Sequence, residues 1–218
     1  MSKWADLKVR TISALVMVAG FIFIMEIHPY AFFGLLAIAY PIMLKEWFGL
    51  VWKQQNRWGW SAFGLIYITM AIGSLILIYS FYDSDSSSIY KLVVLVAAID
   101  IGGYIFGKLF GKTKLAPDIS PGKTWEGLLG SAICASVLSY TIAPSFWDSI
   151  FLGVIPAVIA TIGDLLESFV KRRAGMKDSG KLIPGHGGLL DRVDGLMACA
   201  IYFGPIMLAP HGLLLLVE

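Results

Sequence analysis

The sequence is poor in charge, in cysteine and in histidine. Only 15% of its 218 residues are charged, 57% are hydrophobic, and the mean hydropathy is +0.76. One soluble core cannot hide that much apolar surface, so a soluble globular domain is excluded and an integral membrane protein is expected. The two cysteines, Cys134 and Cys199, stand singly in apolar segments, which argues against a disulfide framework or a thiolate metal site and leaves packing roles. Three histidines, His28, His186 and His211, have no cysteine near them and argue against zinc. The net charge is only +2, and no nucleic-acid partner is expected. No internal repeat is visible, and no linker is long enough to separate soluble domains.

What is present is a series of apolar runs, each near the ~20 residues that cross a bilayer as a helix. The expected fold is an all-α membrane protein of about seven spans, six being the alternative: 11–27, 30–52, 60–82, 89–107, 126–143, 147–170 and 195–217. The second is interrupted by Pro41, Lys45 and Glu46 and is expected to be kinked or partly interfacial. The first follows Lys3, Lys8 and Arg10 with no small-residue cleavage site after it, which points to an uncleaved anchor. With the N-terminus cytoplasmic, all of the 17 Lys and Arg except Lys91 fall on the cytoplasmic side, as basic residues do in membrane proteins. Lys91 lies beside the acidic, serine-rich 83–88, expected as an external loop. The chain then divides into N-terminal membrane helices (1–82) and a catalytic membrane region (83–218), together one membrane domain.

Two connections, 108–125 and 171–194, are long, polar and cytoplasmic under this topology, and long loops in compact proteins are functional or disordered. Both mix Gly, Pro, Ser and Lys at close spacing, which makes tight turns that present backbone N–H groups beside positive side chains and suits phosphate. In ISPGKTWEG, Ser120 and Thr124 supply hydroxyls and Lys123 a charge. A P-loop is rejected, because Pro117 stands where its first glycine would be. Ser120 or Thr124 is equally readable as the N-cap of the helix that follows.

Asp100, Asp164 and Glu167 lie within or at the edge of apolar spans, where an ionised carboxylate costs roughly 2.5 to 3.5 kcal/mol. On a helix Asp164, Glu167, Ser168 and Lys171 share one stripe. Asp191 and Asp194 repeat the three-residue spacing at the start of the last span, where acids also suit the positive end of a helix dipole. Carboxylates at one membrane level beside phosphate-friendly loops suit Mg²⁺, which is commonly shared between protein and substrate phosphates.

The stretch SFVKRRAGMKDSGKLIPGHGGLLDRVD, 168–194, resembles the signature of the CDP-diacylglycerol synthases, the phosphatidate cytidylyltransferases. Upstream, YIFGKLFGKTKLAPDISPGKTWEG (104–127) and GDLLES (163–168) are similar to the same family's other two blocks. Gly103 stands where an alanine is usual, and the chain is shorter than expected of bacterial members, as if N-terminal helices were missing. The resemblance implies transfer of CMP from CTP to phosphatidic acid, giving CDP-diacylglycerol and pyrophosphate. It implies Mg²⁺, with a monovalent cation such as K⁺ beside it, and Asp164 and Asp191 as metal-binding carboxylates.

Beside that resemblance, Glu167 and Asp194 are expected as further metal partners, and Lys171, Lys177, Lys123 and Arg192 as contacts to triphosphate or lipid phosphate. Arg172 and Asp178 complete the expected substrate-binding set. His186 is expected to donate a hydrogen bond, and Gly185, Gly187 and Gly188 to let the backbone approach substrate closely. The role of Asp100 stays open. Expected partners are CTP, phosphatidic acid, membrane lipids and a second copy of the chain, at a bacterial-type inner membrane with the site facing the cytoplasm. Two other readings stand beside this one: a CTP-dependent polyprenol or dolichol-type lipid kinase, and a cation-coupled transporter, whose two related halves are not visible in the sequence.

Overall fold

The computed structural model describes residues 3–52, 54–80, 86–142, 145–185 and 187–208, with main chain only over 3–11 and at 142 and 207. The element order is α1 (Lys3–Ile27), α2 (Ala31–Val51), α3 (Arg57–Ser80), α4 (Ser87–Phe110), β1 (Lys114–Ala116), β2 (Ser120–Thr124), α5 (Trp125–Ile142) and α6 (Phe146–Ser149). A π-helical turn (Ile150–Val154), α7 (Ile155–Arg173) and α8 (Leu190–Met207) follow. The protein is mostly helical. Among the described residues four helical stretches are long and apolar enough to cross a membrane: α2, α3, α4 and the continuous 146–173. The apolar part of α1, Ile12–Ile27, is shorter.

The chain packs as two compact units, to which α3, α7 and α8 each contribute residues on both sides of a boundary. The first comprises 1–72 and 170–193. Here α2 runs as one helix through Pro41. Trp47 of α2 is almost wholly buried, and its indole N–H donates to the Trp60 carbonyl at 2.8 Å. Gly64 makes room for that ring, because a Cβ at 64 would overlap the indole. The last turn of α7 closes on Gly175 at φ +67°, with the Met176 amide reaching Lys171 O at 2.9 Å and the Gly175 amide reaching Arg172 O at 3.0 Å. This paired closure uses a left-handed residue that glycine adopts without strain, and Lys171, Arg172 and Arg173 sit at the negative end of the helix dipole. The helix therefore takes in 171–173, and the connection expected at 171–194 is confined to 174–189.

The second unit comprises 73–169 and 194–218. Its centre is the α4–α5 pair, whose backbones touch through glycines. A Cβ at Gly102 would meet the Gly130 carbonyl at 2.6 Å, and one at Gly103 would meet Ser131 Oγ at 2.7 Å. Ser131 Oγ in turn donates to Ile99 O at 2.7 Å. The expected polar loop 108–125 is instead a short antiparallel hairpin, pairing Lys114 with Thr124 and Ala116 with Ser120 around a turn at Pro117 and Asp118. Likewise Ser87 and Ser88, expected in an external loop, begin α4. Pro156 has no N–H to give Leu152 O four residues back, and Ser139 Oγ of α5 donates to that carbonyl at 2.8 Å. Cys134 and Cys199 are both free; the thiol of the buried Cys199 lies 3.6 Å from Pro156 O.

Candidate active site

Each unit holds its own cluster of polar side chains. In the first, Asp191 opens α8 ahead of that helix's apolar run. Its Oδ1 takes Lys171 Nζ at 2.6 Å, and its Oδ2 accepts from Ser179 N at 2.8 Å, Ser179 Oγ at 2.9 Å and Gly188 N at 2.8 Å. Both side chains of the ion pair are largely covered, at 11% and 5% exposure for Lys171 and Asp191. Burial pushes the Asp191 carboxyl up, but the hydrogen bonds from Lys171, Gly188 and Ser179 outweigh it and hold the group below its ordinary value.

Part of the 174–189 segment is closed by its own backbone. Ile183 and Gly187 exchange both backbone hydrogen bonds, at 2.8 and 3.2 Å, and Gly185 and Gly187 take φ of +76° and +87°. Ser13 Oγ of α1 donates to Pro184 O at 3.0 Å. An open cavity of about 710 Å³ is lined by Lys177, Asp178, Lys181, Gly185, Gly187 and Arg192, with three cations against one carboxylate. That charge balance suits a polyanion. Gly188 does not line it. Its amide is spent on Asp191, and a Cβ there would overlap Ser179 Oγ. The glycine is required by packing within the loop, where the sequence suggested close approach of substrate.

In the second unit Lys123 Nζ lies 2.7 Å from Asp164 Oδ2, and Ser168 Oγ donates to Asp164 Oδ1 at 3.2 Å. Lys123 reaches the acid because β2 delivers it next to the start of α5. There Thr124 Oγ1 accepts from Gly127 N at 3.0 Å, so Thr124 is the N-cap, one of the two readings its sequence allowed. Thr113 N donates to the Glu126 carboxylate at 3.1 Å and fastens the hairpin to α5. A cavity of about 280 Å³ is lined by Asp100, Lys123, Thr124, Ser131, Asp164 and Asp194, so Asp100 joins the acids of this cluster. Glu167 is buried, at 3% exposure. Ser120 is a strand residue and does not line the cavity. Arg172 is exposed at the end of α7 and lines neither of the two cavities. His186 lies outside the described residues.

Among the described residues no group of three or more His, Cys, Asp or Glu side chains is gathered closely enough to cage a metal ion. Asp100, Asp164 and Asp194 nevertheless surround one cavity with hard oxygen donors. Mg²⁺ needs only one or two carboxylates when substrate phosphates and water complete its shell, so the acids present fit it without a protein cage.

Glu46 of α2 is a site residue that sequence reasoning missed, as are Ser179 beside Asp191 and Lys181 in the lining of the larger cavity. The Glu46 carboxylate accepts from Leu189 N at 3.0 Å and Leu190 N at 2.9 Å, at the start of α8. In the sequence it reads only as an interruption of an apolar run.

Residues 49–208 match the model of the cytidylyltransferase family. The chain belongs to that family. It is 39% identical over 205 residues to the phosphatidate cytidylyltransferase of Brucella suis, covering 90% of this chain and 74% of the relative, and equally to that of Brucella melitensis. The phosphatidate cytidylyltransferase of Mycobacterium tuberculosis is 43% identical over 124 residues, 55% of this chain and 38% of the relative. The family match takes in both lysine–carboxylate pairs and the whole 174–189 segment, whereas Glu46 stands just ahead of it.

Proposed function

We propose that the chain is a phosphatidate cytidylyltransferase that transfers CMP from CTP to phosphatidic acid, releasing CDP-diacylglycerol and pyrophosphate. The observation that carries this reading is that the two acids singled out by the motif, Asp164 and Asp191, each hold a lysine at ion-pair distance, in a chain of this family. An oxygen of the lipid phosphate attacks the α-phosphorus of CTP, and the bond from that phosphorus to the oxygen bridging to the β-phosphate breaks. The lipid phosphate is a monoester whose second pKa is about 6, as in phosphoserine, so it arrives largely ionised and no side chain has to remove a proton.

What the reaction requires is neutralisation of two approaching anions and of the departing pyrophosphate. Lys177, Lys181 and Arg192 supply it around the larger cavity, and His186 donates a hydrogen bond. Lys123 and Lys171 neutralise Asp164 and Asp191, and would be available to phosphate where a bound cation took over those acids. Asp164 and Asp194, beside Asp100 in the second unit, and Asp191 in the first are the acids available to Mg²⁺, which would add charge stabilisation to the transferring phosphoryl group, and K⁺ would assist it. The same reading takes the chain through a bacterial-type inner membrane seven times as a homodimer, with the N-terminus and the site cytoplasmic. The clustering of basic residues supports that orientation.

The test is an assay of purified protein with phosphatidate, labelled CTP and Mg²⁺, with and without K⁺. CDP-diacylglycerol and pyrophosphate are expected. Finding CDP and a phosphorylated lipid alcohol after supplying a polyprenol, with no CDP-diacylglycerol from phosphatidate, would assign the chain to lipid kinase chemistry instead.

A further inference from the structure

The 174–189 segment and the start of α8 are held by two carboxylates. Asp191 is part of the motif, but Glu46 comes from α2, 143 and 144 residues before the two amides it binds. Its oxygens divide the work, Oε1 taking Leu189 N at 3.0 Å and Oε2 taking Leu190 N at 2.9 Å. These amides belong to the group of N–H donors that a helix start leaves without intrahelical partners, at the positive end of its dipole. A carboxylate has two acceptor oxygens and a negative charge to match both features.

Ser179 lies between the two acids, with Oγ 2.9 Å from Asp191 Oδ2 and 3.4 Å from Glu46 Oε2. Its single hydroxyl proton serves the nearer, Asp191. Two motif glycines make space for Glu46. A Cβ at Gly180 would stand 2.7 Å from Glu46 Oε1, and one at Gly188 would stand 2.7 Å from the same oxygen. Helix α2 itself is fixed by the neighbouring Trp47, so the carboxylate is presented from a rigid element.

We infer that Glu46 is a positioning residue. It fixes the start of α8 and the 174–189 segment, and so sets Asp191 and Arg192, the residues that directly follow Leu190, for the transfer reaction. Its kinetic consequence rests on the cytidylyltransferase reading, but its structural consequence does not.

The test uses the full chain in detergent or nanodiscs, with Glu46→Gln as the main variant and Glu46→Ala beside it. Gln keeps the size but offers one acceptor oxygen and turns an NH₂ group toward an N–H. A side chain that only fills space would tolerate it. Amide hydrogen exchange across 177–190 is expected to rise in both variants, with exchange across α4 and α5 unchanged. The CTP kcat/KM is expected to fall about 10- to 100-fold, as when the partners that orient reacting groups are removed. Unchanged exchange across 177–190 in Glu46→Gln overturns the anchoring role, and a loosened segment with unchanged kcat/KM overturns the positioning role. If the wild-type chain forms no CDP-lipid, the cytidylyltransferase reading fails, while the exchange result still decides the anchoring.

Discussion

Lys171 Nζ stands 2.6 Å from Asp191 Oδ1, joining the last turn of α7 to the first turn of α8 across 20 residues. With both side chains largely covered, neither charge is at liberty to be solvated if the other is removed.

Lys171→Met should therefore destabilise the protein by about 3 kcal/mol, the lower end of what breaking a buried pair costs. Thermal unfolding in detergent measures it. Lys171→Met with Asp191→Asn should cost less than the sum of the single changes, because the double variant buries no unpaired charge.

The acid limb of stability carries the same signature. The Asp191 carboxyl titrates below its ordinary value of 3.8 in the folded protein, so its contribution is fully present above that value and is lost as pH falls through the lowered one. Pepsin should cut within 174–189 only as pH drops below about 4. In Asp191→Asn, that pH step should be missing.

Asp164→Asn, Asp191→Asn and Asp194→Asn should abolish Mg²⁺-dependent turnover while inserting into the membrane as wild type does. Near-normal activity in any of them removes that residue from the metal set. His186→Gln should lose activity partially and leave the shape of the pH–rate profile unchanged; a shifted profile would mean proton transfer at His186.

Gly188→Ala should inactivate, because its Cβ would overlap Ser179 Oγ and crowd Glu46. Gly34→Ala in α2, where nothing lies within 4 Å, should be neutral or stabilise by roughly 0.5 to 1 kcal/mol. Unfolding midpoints and specific activity separate the two.

Ser139→Ala should cost about 1 kcal/mol by leaving Leu152 O without its side-chain donor. In a Pro156→Ala background the cost should shrink, since residue 156 regains an N–H. A double-mutant cycle on thermal stability reads the difference.

The helices and the chemistry-bearing motif are legible in the sequence because their causes are local. Apolar length gives the helices but not their ends, for α7 runs on through Lys171, Arg172 and Arg173, which the apolar pattern leaves in the loop. Asp100 and Asp164 stand out because acids in apolar runs are costly, and both line the smaller cavity. The same cost applies to Glu46, but Lys45 and Pro41 beside it made it read as a break in a weak span. Its partners are two backbone amides more than 140 residues away, which no local pattern reports. The hairpin at 114–124 was likewise hidden, since KLA and SPGKT carry neither the alternation nor the branched residues by which strands announce themselves.

Because each of the two acids keeps an ammonium group of its own, the chain carries its counter-ions with it. Neither carboxylate then waits for a divalent ion to balance its charge as the fold closes around it.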